Sequence, residues 1–402
     1  MSQATQVLTV NCGSASVKFA LYEMGLAEHR RLYGRCDGIG LGKGRCLLQD
    51  EGGRVLFESS FGLPDPETAA LRFLDWLNRH SFGSCIGGVG HRVVNGGMRF
   101  ERPVAITPEI DEELGKMGES GPDNPAPEIR AMRVLRGLLP QLTHVACFDT
   151  AFHRGMPPVA QRHPLPRELS GQGIVRFGFH GLSCESILAT LAAEVGEGAS
   201  RGRIVIAHLG SSASMAAFHG GRSLDTTMGF SPNGGLMMGT RSGDLCPGVL
   251  LYLLQGKNLS AAEVGNIVNK QSGLLGVSGV SRDMQELLKV SPTNPDAAEA
   301  VALFCYTARK HLGSLAAVLG GLDTLVFSGG IGENAPAVRK GICEQMEFLG
   351  IRLDMARNRQ NASVISSGDS PVTVRVVATN EELMIARATD AVVRSLTQTT
   401  QV

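Results

Sequence analysis

Along the 402-residue chain, short runs of consecutive or alternating apolar residues alternate with longer stretches whose apolar positions return every three or four residues. The short runs predict strands at 30–36, 54–59, 87–94, 143–148, 323–328 and 372–378. The helical spacing predicts helices at 67–80, 126–138, 183–195, 260–270, 296–319, 334–348 and 381–396. Each half starts with strands and then alternates helix and strand, the pattern of an α/β fold. The stretch 153–166, "HRGMPPVAQRHPLP", is rich in proline and lacks periodicity, which predicts the junction between two domains. The last helix, 381–396, is expected to return to the first domain.

Two hairpins stand at the head of the halves. In "VNCGSASVKFALYE" (10–23) an apolar run meets a Gly-Ser turn and a second apolar run carries Lys18. A shift of 197 positions lays Gly13-Ser14 on Gly210-Ser211 of "RIVIAHLGSSASMAAFHGGRSLDTT". Similarity at half-length points to a duplication. A plain reversal would more often use Asn-Gly or Asp-Gly. Backbone N–H groups, hydroxyls, an amide and a cation grouped in one turn suit an oxyanion.

Composition narrows the reading. Hydrophobic residues make up 43% of the chain, enough for sizeable cores, and Lys+Arg and Asp+Glu are balanced at 38 each. That balance predicts neither a nucleic-acid surface nor an acidic tail. No signal segment is expected, and no run approaches the length of about 20 apolar residues needed to span a membrane. Nine cysteines without C-x-x-C spacing read as reduced thiols of a cytosolic protein. The 51 glycines cluster in loops between strands and helices, where backbone can approach phosphate.

Five further stretches end a strand or apolar run in polar chemistry. They are "GHRVVNGG" with Arg92, "VACFDTAFH" with Asp149, "RFGFHGLS" with His180, "GLMMGTRSGD" with Arg241, and the glycine loop of "LVFSGGIGEN". Taken singly, each has a plainer reading as an ion pair, a core histidine, a helix cap or a turn. Neither a G-x-x-x-x-G-K-[ST] loop nor an H-E-x-x-H pair occurs. Together, two arginines, a strand-end aspartate, a histidine and phosphate loops suit phosphoryl transfer, which rests on positioning and charge neutralisation.

Residues 7–393 resemble the acetate kinase/propionate kinase family of the actin-like ATPase superfamily. The motifs "NCGSASVKF", "HRVVNGG", "FDTAFH", "RFGFHG", "DTTMGFSPNGGLMMGTRSGD", "SGLLGVSG", "FSGGIGEN" and "TNEELMIARAT" occur in that family's order and spacing. The resemblance implies duplicated ribonuclease-H-like domains, 1–152 and 153–380, with an interdomain active-site cleft and helix 381–402 joined to the first. It further implies a cytoplasmic homodimer using Mg²⁺, or Mn²⁺ in its place. The reaction would be reversible phosphoryl transfer from ATP to acetate or another short carboxylate, giving acetyl phosphate and ADP. The alternatives are a propionate kinase and a weakened paralogue that binds nucleotide or acyl phosphate for regulation.

Carried onto this sequence, the resemblance groups Asn11, Asp149 and Glu381 around the metal. Arg92 and Arg241 would hold the carboxylate and the transferring phosphoryl group, to which His180 would donate. Val94, Phe179 and Pro232 would form the acyl pocket, while Ser14 and Ser16 face phosphate. ATP would meet Lys18, then His208, Gly210, Ser211 and Ser212 of the second turn, with Asp283, Gly330, Ile331 and Asn334 around its adenosine. Departures from the family pattern fall at Ser211 and Ser212, at Pro122 and Asp123 of "GPDNP", and at Asn233, Gly234 and Cys246. A serine Cβ at 212 is expected to crowd the nucleotide phosphates, and the Asp123 carboxylate to repel anions.

Overall fold

The structure is a computed structural model and describes residues 5–13, 16–80, 82, 86–117 and 126–399. Two compact units divide the chain, one of Met1–Phe152 with Asn380–Val402 and one of His153–Thr379.

The first unit carries β1 (Thr5–Cys12), β2 (Ser16–Met24), β3 (His29–Asp37), β4 (Gly44–Asp50), β5 (Val55–Phe61), β6 (Ile86–Val93), β7 (Val104–Ala105) and β8 (Thr143–Phe148). Its sheet runs β5-β4-β3-β2-β1-β6-β8-β7. The hairpins β1/β2 and β2/β3 are antiparallel, whereas β1/β6 and β6/β8 are parallel. The second unit carries β9 (Ile204–Leu209), β10 (Ala213–His219), β11 (Arg222–Thr226), β12 (Thr324–Ser328) and β13 (Thr373–Val376), in the order β11-β10-β9-β12-β13. Here β9/β10 and β10/β11 are antiparallel, and β9/β12 and β12/β13 are parallel.

The central order β3-β2-β1-β6-β8 therefore recurs with the same pairing sense, as a duplicated ribonuclease-H-like fold requires. The shift seen in the sequence is also kept in the backbone. β1 ends at Cys12 and β9 at Leu209, while β2 starts at Ser16 and β10 at Ala213. Strands β4 and β5 extend the first sheet beyond this repeat. Parallel strands buried on both faces read as near-continuous apolar runs, and β8 and β12 are accordingly buried along almost their whole length.

Helix α1 (Pro66–Arg79) starts where Asp65 accepts from the Thr68 N–H at 2.7 Å, with Pro66 at its first position. Such a cap satisfies an N–H that the helix leaves open. The C-terminal helix Glu381–Thr399 packs on β1, β2, β6 and β8 within the first unit. Gly90 of β6 leaves it room, because a Cβ there would fall 2.2 Å from Thr389 Oγ1.

Some expected elements differ. The helix expected over 334–348 is three pieces, Gly329–Asn334, Pro336–Cys343 and the turn Glu347–Leu349. Pro336 has no N–H to continue the first piece, and Gln345 adopts φ 61° before the last. The α-helix expected over 260–270 ends at Asn266 and widens into a π-type turn, Ile267–Gln271. Strand β4 was not expected, because its apolar residues are few and flanked by glycine and charge.

The cysteine expectation also needs correction. Cys36 and Cys46 form a disulfide. They face each other in the β3/β4 register with Cα atoms 4.1 Å apart, a proximity that only strand pairing reveals. Cys12, Cys147, Cys184, Cys246, Cys305 and Cys343 are free thiols.

Candidate active site

In the first unit, polar side chains gather at the C-terminal ends of β1, β6 and β8. The β6/β8 register sets Arg92 opposite Cys147 and Val93 opposite Phe148, so Asp149 emerges beside Arg92. Arg92 Nε donates to both Asp149 carboxylate oxygens at 3.1 Å, and a second nitrogen bonds the same group. Arg92 Nη1 also donates to the Cys12 carbonyl at 3.0 Å. Burial pushes the Asp149 carboxyl above the usual carboxylate range, with Arg92 opposing the shift and Glu381 adding to it. For Arg92, burial disfavours the charge, but Asp149 and Glu381 outweigh it and raise the pKa.

The C-terminal helix begins at the same place. Asn11 Nδ2 donates to Glu381 Oε2 at 2.8 Å and to Glu382 Oε1 at 3.1 Å. Lys18 lies opposite Asn11 in the β1/β2 register, with its ammonium 3.6 Å from Glu382. Burial alone would lower the Lys18 pKa, yet Glu382 and Glu381 raise it. Glu382 was not singled out in the sequence, although it stands beside Glu381 in "TNEELM".

These donors can be tested against a divalent ion. Asn11, Glu381 and Glu382 offer only hard oxygen ligands, which suit Mg²⁺ rather than a thiolate- or imidazole-seeking metal. Among the described residues no three His, Cys, Asp or Glu side chains form a ready cage. Mg²⁺ usually keeps several waters and takes one or two carboxylates plus phosphate oxygens. Asp149 belongs to the neighbourhood, but its bonds go to Arg92.

In the second unit the loops after β9 and β12 lie together. Ser328 is paired with His208 in the strand register, and a Cβ on Gly210 would sit 4.0 Å from the Gly330 nitrogen. Gly329 has φ 76°, and a Cβ there would meet the Leu209 carbonyl oxygen at 2.7 Å. Glycine alone permits this closure. The two turns close differently where they are described: Gly210 N–H donates to the carbonyl two residues on, Ser212, at 3.0 Å, and Gly13 N–H to the carbonyl three residues on, Ser16, at 2.8 Å.

His180 occupies the left-handed region at φ 59°, as the residue before helix Gly181–Ser200. Its Nδ1 is hydrogen-bonded to Ser214 Oγ at 2.9 Å, and its ring lies 4.4 Å from that of His208. His208 Nδ1 is in turn hydrogen-bonded to Ser183 Oγ at 2.7 Å.

Behind His180 stands buried His153, a residue of "FDTAFH" that the sequence did not mark. Its Nε2–H donates to the Phe179 carbonyl at 3.0 Å, so its Nδ1 accepts from Ser223 Oγ at 2.8 Å. Burial drives the His153 pKa down to about 4, keeping the ring neutral. Gly178 (φ 74°) allows the close approach, since a Cβ there would strike the His153 ring at 2.7 Å.

Arg241 extends from the loop after "GLMMGT". Its Nη1 donates to the Pro232 carbonyl at 3.2 Å, to Ser212 Oγ at 3.3 Å and to Met238 Sδ at 3.7 Å. Burial lowers its pKa, and among the described residues no carboxylate pairs with it. A largely buried cation without an anion is costly. Ser212, expected to intrude on nucleotide, points its hydroxyl at this guanidinium.

The remaining expected residues take the following places. Phe179 is buried, and Val94 is half-buried just past β6. Ser211 is exposed, and its carbonyl accepts from Gly239 N–H at 3.1 Å. Gly330, Ile331 and Asn334 form a short helix rather than an open loop, and Asn334 Nδ2 donates to the Gly330 carbonyl at 3.1 Å. Asp283 is an exposed helix cap, accepting from Gln285 and Glu286 N–H groups at 2.7 and 3.1 Å. Ser14, Pro122 and Asp123 lie outside the described residues.

The model of the acetokinase family matches residues 6–387. The chain belongs to the acetokinase family. It is similar to an acetate kinase of Rhodopseudomonas palustris, with 43% identity over 95% of this chain and 96% of that one. The crystal structure of Porphyromonas gingivalis acetate kinase aligns with a TM-score of 0.84 at 37% identity, covering 97% of this chain and 100% of that chain. A propionate kinase structure from Francisella tularensis aligns at 0.88 and 33% identity, covering 96% and 99%. As a member of the acetokinase family the chain is a kinase, with ATP as co-substrate and a need for a divalent cation. Among the described residues no helix is long and apolar enough to cross a membrane.

Proposed function

We propose that the chain catalyses reversible transfer of the terminal phosphoryl group of ATP to acetate. A carboxylate oxygen forms the new O–P bond as the bond to the ADP oxygen breaks, giving acetyl phosphate and ADP. No proton need be removed from an ionised carboxylate, so no general base is asked of Asp149. The observation that carries this reading is Arg241, a largely buried guanidinium held by neutral acceptors, with donors left to bind an anion. Its planar fork suits the oxygens of a transferring phosphoryl group.

Arg92 serves the acetate carboxylate while Asp149 fixes its orientation. His180, oriented by Ser214 and by the His153-anchored carbonyl of Phe179, donates to the phosphoryl oxygens. Mg²⁺ would be held by Asn11 and Glu381, with Glu382 and Lys18 balancing their charge, and would neutralise phosphate charge. The paired loops after β9 and β12 receive the remaining phosphates and the adenosine. Val94, Phe179 and Pro232 bound the acyl group. Propionate is the second reading, since one methylene in an apolar pocket is worth about 1–3 kcal/mol.

A hydroxamate assay with ATP, Mg²⁺ and acetate, propionate or butyrate tests the proposal. Acetate is expected to have the highest kcat/KM; a higher value for propionate moves the assignment to propionate kinase. We also propose a homodimer, supported by exposed Val249, Leu251, Tyr252, Leu303 and Tyr306 in the second unit. Light scattering should give twice the 42.5 kDa chain mass.

A further inference from the structure

At the outer end of the first sheet, α1 and the strands β3, β4 and β5 line a cavity of about 470 Å³. It arises because α1 lies along β2, where Phe73 stacks on Phe19 at 4.2 Å, while the sheet runs three strands further out. Gly34 of β3 keeps the space clear beneath the helix, since a Cβ there would approach the Phe73 ring to 3.0 Å. Leu48, Phe57, Phe61, Phe73, Trp76 and the Cys36–Cys46 bond form the apolar part of a lining that is polar as much as apolar. Phe57, Phe61 and Trp76 remain only partly buried. The volume falls within the roughly 300–1,000 Å³ usual for small-molecule sites.

Charge at this cavity is one-sided. Arg35, Arg72 and Arg79 line it, against a single lining carboxylate, Asp75. Arg79 is bonded to Asp75 at 2.9 Å, and Arg35 to Asp37 at 2.7 Å. Arg72 has no carboxylate partner among the described residues. Its guanidinium carbon instead lies 5.4 Å from the centre of the Phe61 ring. An aromatic chamber with one uncompensated guanidinium matches a molecule with an apolar body and a single negative charge.

We infer that this cavity is a binding site for an amphipathic monoanion, a carboxylate carrying a medium-length alkyl or aryl body. The body fills the space between Phe57, Phe73 and Trp76, and the carboxylate meets Arg72. None of these residues belongs to the phosphoryl-transfer site, so the inference stands apart from the proposed reaction.

Trp76 is the only tryptophan of the chain, so its emission reports on the cavity directly. The full chain is titrated with octanoate and, separately, with octanol. Saturable change in Trp76 emission is expected with octanoate, with octanol binding at least about tenfold more weakly, the scale of a charge-assisted hydrogen bond. Arg72→Gln, at an exposed helix position, should weaken octanoate about tenfold and leave octanol unchanged. Ser59→Phe, which fills the chamber from β5, should abolish both responses. Equal affinities for octanoate and octanol, an unchanged octanoate affinity in Arg72→Gln, or binding retained in Ser59→Phe would each overturn the inference.

Discussion

Replacing each of the two site arginines by methionine should separate function from stability. Arg241 has only neutral acceptors, at 3.2 to 3.7 Å, and burial disfavours its charge. Removing it deletes an uncompensated cation, and Met238 and Pro232 can pack against the thioether. Replacing buried charge with apolar volume is often neutral or stabilising by about 1–4 kcal/mol. Turnover should nevertheless fall about 10²–10³-fold, the cost of losing one donor to transition-state charge. Arg92 behaves in the opposite way. Its loss would strand Asp149, a fully buried carboxylate, with Glu381 nearby. Breaking such a pair costs about 3–5 kcal/mol, or roughly 10 °C in the melting of a unit this size. Scanning calorimetry and the hydroxamate assay on both variants give the answer. If Arg241→Met melts 5 °C or more below the parent, or keeps kcat within about threefold, Arg241 is a structural residue and the reasoning fails.

Three further outcomes are expected. His153 titrates at about 4 when folded against an ordinary 6.5, so its contribution is complete above pH 6.5 and is lost as pH falls toward 4. The loss is on the order of 3 kcal/mol; denaturant midpoints of His153→Gln between pH 7 and 4 should therefore fall less steeply than the parent's, and parallel curves would contradict the buried neutral ring. Thiol titration of the unfolded chain should find two fewer groups without reductant than with it, and Cys36→Ser with Cys46→Ser should cost about 3 kcal/mol in chemical denaturation. Gly329→Ala drives a Cβ to 2.7 Å from the Leu209 carbonyl oxygen; calorimetry should show weakened ATP binding, and unchanged affinity would separate that loop from the nucleotide.

Much of the architecture was legible because its signals are local. The apolar runs at 143–148 and 323–328 are strands β8 and β12 within a residue, and the half-length repeat matches the strand ends of both hairpins. Less legible was whatever depends on pairing across the chain. Cys36 and Cys46 look like unrelated thiols until β3 and β4 set them side by side. His153 gains meaning only through Gly178, which lets its ring reach the Phe179 carbonyl. Nothing local to the turn of Lys18 shows that Glu382, over 360 residues away, faces its ammonium. The hydroxyl contact of Ser212 to Arg241, 29 residues on, was likewise not legible.

The most direct test of phosphoryl transfer is phosphorus nuclear magnetic resonance of the chain with ATP, Mg²⁺ and acetate. An acyl-phosphate resonance should grow in step with ADP, and acetyl phosphate with ADP should regenerate ATP in the reverse direction. ADP accompanied only by inorganic phosphate, or ATP left intact at saturating acetate, would contradict transfer to the carboxylate.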